Sequence, residues 1–213
     1  MEWTLTALAE VSSWALTIYL WIIIAAVLLS WVSPDPRNPF VRFLNRMAAP
    51  LWNGMARVLT ARWRIFAAYA ALLLVMFGIE FVPGVFATFA GFAGGRISGD
   101  ALAAPLAGFL LRGIAVVLYN LLYFLVLVLA IWFVLTLVSP SVNNPVVRVV
   151  YVLVDPIISP LQRILPRMRV DLSPLLAAGV FLLLNYFVVG ALLRYAMELT
   201  VVAADPGLLL RRM

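Results

Sequence analysis

The sequence predicts an all-α membrane protein: four transmembrane helices arranged as two parallel tandem repeats, each with a cytoplasmic interfacial or re-entrant helical hairpin. Three observations predict it. The 213 residues are 66% hydrophobic and 11% charged, with a mean hydropathy of +1.11. Soluble domains carry about 25% charged residues, so this chain cannot cover a globule with polar surface. Four apolar stretches reach the roughly 20 residues that a helix needs to cross a hydrocarbon core about 30 Å thick. Finally, a polar phrase between the first two stretches, "SPDPRNPFVR" at residues 33–42, returns between the last two as "SPSVNNPVVR" at residues 139–148.

The first span is read over residues 14–32, with Trp14 and Trp31 as interfacial anchors. The preceding "MEWTLTALAEVSS" carries Glu2 and Glu10 and no basic residue, the reverse of a signal-peptide n-region, so the span reads as a retained helix. Loop 33–64 follows. Asn38 before Pro39 is the cap-plus-first-position signature of a helix start. A helix from there sets Phe40, Phe43, Leu44 and Met47 on one face and Arg42, Asn45 and Arg46 on the other, as suits the headgroup plane. Pro50 is read as its end. The second span covers residues 65–86. Glu80 lies 16 residues past Arg64, about 24 Å along a helix, which puts it near the outer interface.

Residues 87–112 are rich in glycine and alanine and read as a flexible linker. The third span, 113–138, is long enough to tilt. In loop 139–173, Asn144 and Pro145 repeat the helix-start signature. Its "VVRVVYVLV" has the β-branched content of a strand, but alignment with the first loop argues for helix, with Pro156 as its end. "SPLQRILP" then reads as a short second helix, capped by Ser159, led by Pro160 and stopped by Pro166. The fourth span, 174–193, opens with Ser173 as cap and Pro174 in the first position.

The repeat has an offset of 106 residues, the distance from Ser33 to Ser139. The same offset pairs Pro34 with Pro140, Asn38 with Asn144, Pro39 with Pro145, Arg42 with Arg148, Pro50 with Pro156 and Arg57 with Arg163, without a gap. The organisation is therefore a first repeat at 1–86, a linker at 87–112, and a second repeat with a C-terminal tail at 113–213. Each unit holds two spans, so both enter the bilayer from the same side.

Orientation follows from arginine. The two loops hold ten arginines against Asp35, Asp155 and Asp171; the termini and linker hold five against five acids. The positive-inside rule puts both loops in the cytoplasm and both termini in the periplasm. The net charge of +6 flanks hydrophobic spans rather than forming one basic face, which points to anionic lipid headgroups and not to nucleic acid.

Chemistry is restricted by what is missing. The chain has no cysteine, histidine or lysine. That removes thiolate and imidazole metal ligands, haem thioethers, the neutral-pH proton shuttle and Schiff-base nucleophiles. No nucleophile–base pair, carboxylate dyad or phosphate loop emerges, and Asp171 and Ser173 are accounted for as cap residues. No enzyme, cofactor or metal is expected. Within the membrane, Glu80 is expected to form an ion pair with Arg112 or Arg194. Asn120 and Asn185 read as interhelical hydrogen-bonding amides. Arg42, Arg148, Arg57 and Arg163 are the candidate contacts to headgroups or to an acidic partner.

At the repeated loops the chain resembles the YggT family of small integral membrane proteins. The matching stretches are "LLSWVSPDPRNPFVRFLNRMAAPLW" and "TLVSPSVNNPVVRVVYVLVDPIISPLQRILPRMRVDLSP". The first repeat departs from the pattern, with Gly54 and Thr60 where the second has Pro160 and Pro166, and with no D-x-S-P before its second span. The resemblance implies tandem units in the inner membrane of a Gram-negative bacterium. It also implies roles that diverge among relatives: haem attachment to cytochrome b6 and nucleoid or division phenotypes in plastids, and cell division and osmotic or ion tolerance in bacteria. The functional expectation is a non-enzymatic inner-membrane scaffold or assembly factor for another membrane or division-associated complex. It would bind an unidentified membrane or cytosolic protein, with homo-oligomerisation left open. The alternative is a component of an ion or osmotic-stress transport system.

Overall fold

The computed structural model describes residues 1–32, 35, 37–61, 66–138, 145–164 and 171–204; within these elements the side chains of 31, 32, 138, 145, 146, 148, 149, 152, 163, 164 and 202–204 lie outside the description. The described residues are helical, joined by short turns, with no strand. In chain order the helices are α1 (Glu2–Val32), α2 (Pro39–Val58), α3 (Ala67–Ala93), α4 (Ala103–Val138), α5 (Pro145–Ile164), α6 (Ser173–Leu184) and α7 (Gly190–Ala204). A 3-10 turn at Gly99–Ala101 precedes α4, and a π-helical segment at Asn185–Val189 joins α6 to α7. Four helical stretches are long and apolar enough to cross a membrane: Glu2–Ser30, Ala67–Ala93, Gly99–Leu137 and Ser173–Val201.

These helices exceed the predicted spans. α1 starts at Glu2 because nothing before Trp14 breaks a helix: there is neither glycine nor proline, and the polar residues bond back along their own turns. Thr6 Oγ1 donates to the Glu2 carbonyl at 3.0 Å and Ser12 Oγ to the Ala9 carbonyl at 2.9 Å. The expected flexible linker at 87–112 is mostly helix. α3 carries on from Phe86 to Ala93, and α4 begins ten residues before Gly113. Alanine is the best helix former, and Gly91 is tolerated because it is buried against Ile97.

The chain divides into two compact units, residues 1–117 with 194–213, and residues 118–193. In the first, α1 and α3 run antiparallel and α2 packs across both near one end. Its core is Ile23, Ala26 and Val27 of α1, Leu44 and Ala48 of α2, and Val75 of α3. Tyr19 ties α1 to α2 by donating its hydroxyl to the Met47 carbonyl at 3.1 Å. In the second unit, Val128 and Leu129 of α4 meet Val150, Val154 and Ile158 of α5 and Ala177 of α6. There the tie is aromatic: the Tyr151 and Trp132 rings lie 5.6 Å apart. Lipid tails are as apolar as leucine, so close packing of small residues rather than water exclusion holds such helices together. Buried Ala26, Ala48, Ala71 and Ala177 are the means.

The 106-residue offset is also written in the packing. It carries the bounds of α2 onto those of α5, and the C-terminal residue of α1 onto that of α4. It carries buried Val41, Leu44 and Ala48 onto buried Val147, Val150 and Val154, Ile23 onto Leu129, and Ala71 onto Ala177.

Among the described residues of the two loops, neither Pro50 nor Pro156 ends a helix as expected. α2 and α5 are each one 20-residue helix, running through Pro50 in α2 and through Pro156 and Pro160 in α5. An internal proline costs about 3 kcal/mol by removing one hydrogen bond and crowding the preceding turn. Here all three prolines are on the exposed side, and the core-facing stripe stays in helical phase past them: Leu44, Ala48, then partly buried Trp52; Val150, Val154, Ile158, then partly buried Leu161. Breaking either helix would take the residues beyond the proline out of the core.

Candidate functional site

α2 starts where its sequence dictates. The Asn38 side chain accepts from the Phe40 amide at 2.9 Å and Pro39 fills the first turn. At about 100° per residue, the helix divides into three sectors. Val41, Leu44 and Ala48 face the protein; Arg42, Arg46 and Arg57 are exposed on another side; Phe40, Phe43 and Met47 are exposed between them. Leu44 thus parts from the phenylalanines with which sequence periodicity grouped it, because the core takes one row of residues and leaves the adjacent apolar row outside. An exposed apolar row beside a guanidinium row matches a bilayer surface, where apolar groups enter the acyl boundary and arginines reach phosphates. On α5 the exposed polar residues are Tyr151, Asp155 and Gln162. The side chains of Arg148 and Arg163, and residues Pro34, Pro140 and Asn144, lie outside the described residues. Pro145 opens α5.

The start of α6 is organised by Asp171 rather than by Ser173, which is the first residue of the helix and buried. The Asp171 carboxylate accepts from the Ser173 amide at 2.9 Å and from the Gln162 side chain of α5 at 2.5 Å. Partial burial pushes the Asp171 carboxyl upward, but the Ser173 hydroxyl and amide and the Gln162 amide together hold it below its ordinary value. Pro174 is buried in the first turn.

The intramembrane charges meet within the first unit. Arg112 Nε of α4 stands 2.7 Å from Glu80 Oε2 of α3, both partly buried. Glu80 is central in α3, thirteen residues from Ala67 and thirteen from Ala93, and not near an outer end. The sequence count runs from Arg64 toward a span end at residue 86, whereas α3 ends seven residues beyond it. Two glycines bring the helices close enough for the pair. A Cβ on Gly84 would lie 2.8 Å from Phe109 Cβ, and one on Gly113 would lie 2.7 Å from the Phe77 ring. Each contact flanks the ion pair by about one turn. Arg194, the other candidate, is exposed on α7.

The second unit carries its own buried polar group. Asn185 is 6% exposed, and its Nδ2 donates to the Tyr119 carbonyl at 3.3 Å. Its Oδ1 has no hydrogen-bond partner among the described residues. The offset places Asn185 opposite apolar Ile79, so this polar contact belongs to one repeat only. No cluster of acidic residues suited to a metal ion occurs among the described residues.

A family model described as CCB3/YggT matches the chain twice, over residues 5–90 and 111–192. The chain belongs to the CCB3/YggT family. No curated protein and no solved structure matched it. The first YggT match covers nearly all of α1 to α3, and the second runs from α4 into α7. This YggT protein is therefore a tandem two-repeat membrane protein, with residues 91–110 between its matched regions.

From sequence, Gly84 reads as permitting a kink or close packing, but Gly113, Phe77 and Phe109 were missed as contacts that frame the ion pair. A glycine in an apolar helix signals close approach, but not to which neighbour. Sequence reading also missed the pairing of Glu2 with Arg96, which lie 94 residues apart.

Proposed function

We propose that this YggT-family protein is a non-enzymatic scaffold of the bacterial inner membrane that organises, or assists assembly of, another membrane or division-associated complex. Both termini face the periplasm, and α2 and α5 lie at the cytoplasmic surface. The observation that carries this reading is the three-sector division of α2, which stays basic and apolar outward after its core-facing row is used. That surface fits anionic headgroups and an acidic segment of a partner protein. The two repeats are not equivalent in this role, because Asp155 places an acid on the exposed side of α5.

The test is in-membrane crosslinking followed by affinity purification. A specific partner should co-purify with the wild-type protein, and Arg42→Ala with Arg148→Ala should release it while insertion stays intact. Absence of any specific partner would sink the proposal. A second reading, an ion or osmotic-stress transport component, is favoured by the Glu80–Arg112 pair at the centre of α3. It requires ion flux in reconstituted vesicles that Glu80→Gln abolishes.

A further inference from the structure

The first unit contains a cavity of about 290 Å³ at the end of its helices remote from α2. Its lining comes from Thr6 of α1, Thr88 and Ala90 of α3, Pro105 and Phe109 of α4, and Thr200 of α7. The wall has three threonines yet offers no free hydroxyl proton. Thr6 donates to the Glu2 carbonyl at 3.0 Å, Thr88 to the Gly84 carbonyl at 2.8 Å and Thr200 to the Met197 carbonyl at 2.8 Å. The interior is therefore suited to hydrocarbon and poor for a polar solute.

Its mouth is charged. α3 ends in a motif in which the Gly95 amide donates to the Phe92 carbonyl at 3.0 Å and the Arg96 amide to the Gly91 carbonyl at 2.9 Å. Gly95 holds φ at +70°, the left-handed conformation that this helix ending needs. The turn sets Arg96 on the cavity wall, where its guanidinium pairs with the Glu2 carboxylate. Glu2 in turn rests against Gly94, where an added Cβ would come 2.5 Å from a carboxylate oxygen. Both charged side chains are substantially exposed.

Depth identifies the occupant. About 20 helical residues cross the hydrocarbon core. Counted along α1 from Ala26, where α2 docks, that distance ends near Thr6; counted along α3 from Leu72, it ends near Phe92. The cavity thus opens at the headgroup boundary of the leaflet opposite α2. We propose that it is a binding site for one zwitterionic phospholipid with a primary amine, its acyl chain in the cavity, its phosphate on Arg96 and its ammonium on Glu2. A lone arginine would select an anionic lipid; an arginine paired with a carboxylate matches both charges of a zwitterion, whose phosphate and amine replace the pair's mutual contact. Arg96, Ile97, Pro105, Phe109 and Thr200 lie outside both regions matched by the family model, while Thr6, Thr88 and Ala90 lie inside the first.

The test is native mass spectrometry of the full chain, released from mild detergent after incubation with phosphatidylethanolamine, phosphatidylcholine or phosphatidylglycerol of identical acyl chains. The wild type should retain one phosphatidylethanolamine, preferred at least about tenfold over phosphatidylglycerol, about 1.4 kcal/mol. Phosphatidylcholine, whose amine has no N–H for Glu2, should be intermediate. Ala87→Phe should fill the cavity and abolish retention. Glu2→Gln, which leaves Arg96 without its carboxylate, should turn the preference toward phosphatidylglycerol, and Arg96→Gln, which removes the phosphate contact, should lower retention of all three lipids; both positions are exposed, so the fold stays intact. Equal retention by the wild type, preference for phosphatidylglycerol, or retention unchanged in both Ala87→Phe and Arg96→Gln would overturn the proposal.

Discussion

Gly84→Ala tests the packing that frames the ion pair. The added methyl would lie 2.8 Å from Phe109 Cβ and closer still to the ring. Carbon atoms in contact settle at about 3.5–4.0 Å. The ring can turn about its own bond, but Phe109 Cβ is fixed to the α4 backbone. The two helices must therefore separate by about 0.7 Å or more at this level. That movement stretches the 2.7 Å contact between Arg112 and Glu80, one turn away, out of good hydrogen-bonding range. Overpacking of this kind costs about 1–3 kcal/mol; parting the ion pair adds to it, because the exposed part of these side chains within the spans meets hydrocarbon rather than screening water. Reversible unfolding in mixed detergent micelles measures the loss. Gly78→Ala is the internal control. It lies in the same helix, and its nearest neighbour would be Leu16 at 3.8 Å, an ordinary contact. Its effect should be near zero or slightly stabilising, since alanine is the better helix former. In a Phe109→Gly background, which lacks both the ring and the Cβ, Gly84→Ala should cost little, so the double variant should recover most of the stability that the substitution loses in the wild type. Equal stabilities for the two glycine variants, or no recovery in the double variant, would refute the reasoning.

Other expectations follow from the same geometry. Leu44→Ala, at a core position 4% exposed, should cost about 2–5 kcal/mol, whereas Phe43→Ala should leave stability nearly unchanged; unfolding of the two variants side by side checks this. Asp171→Ala should cost about 0.5–2 kcal/mol at neutral pH through loss of the acceptor that holds the start of α6. Because the folded carboxyl sits below its unfolded value, that stabilisation is complete above the unfolded range near pH ~4 and is lost as pH falls through the folded value. Thermal unfolding of wild type and variant should therefore converge at low pH. Asn185→Ile, which copies the residue of the first repeat, should change stability by less than about 1 kcal/mol, since membrane interhelical hydrogen bonds average roughly 0.6 kcal/mol and the Oδ1 is unpartnered.

The chain's own letters determined the class, the four spans and the duplication, because these rest on periodic and compositional signals that do not depend on a neighbour. A 31-residue run without glycine or proline is α1, and Asn38–Pro39 starts α2 whatever it packs on. Tertiary structure alone decided where helices stop being interruptible and which distant residues meet. Pro50 and Pro156 read locally as helix ends and Pro160 as a new start, yet the core row of α2 and α5 runs past them because packing Trp52 and Leu161 on the core outweighs a lost hydrogen bond. Glu80 finds Arg112, and Glu2 finds Arg96, through the antiparallel register of long helices set by Gly84, Gly113 and the Gly95 turn. Those contacts depend on close approach between separate segments, a quantity that no local pattern encodes.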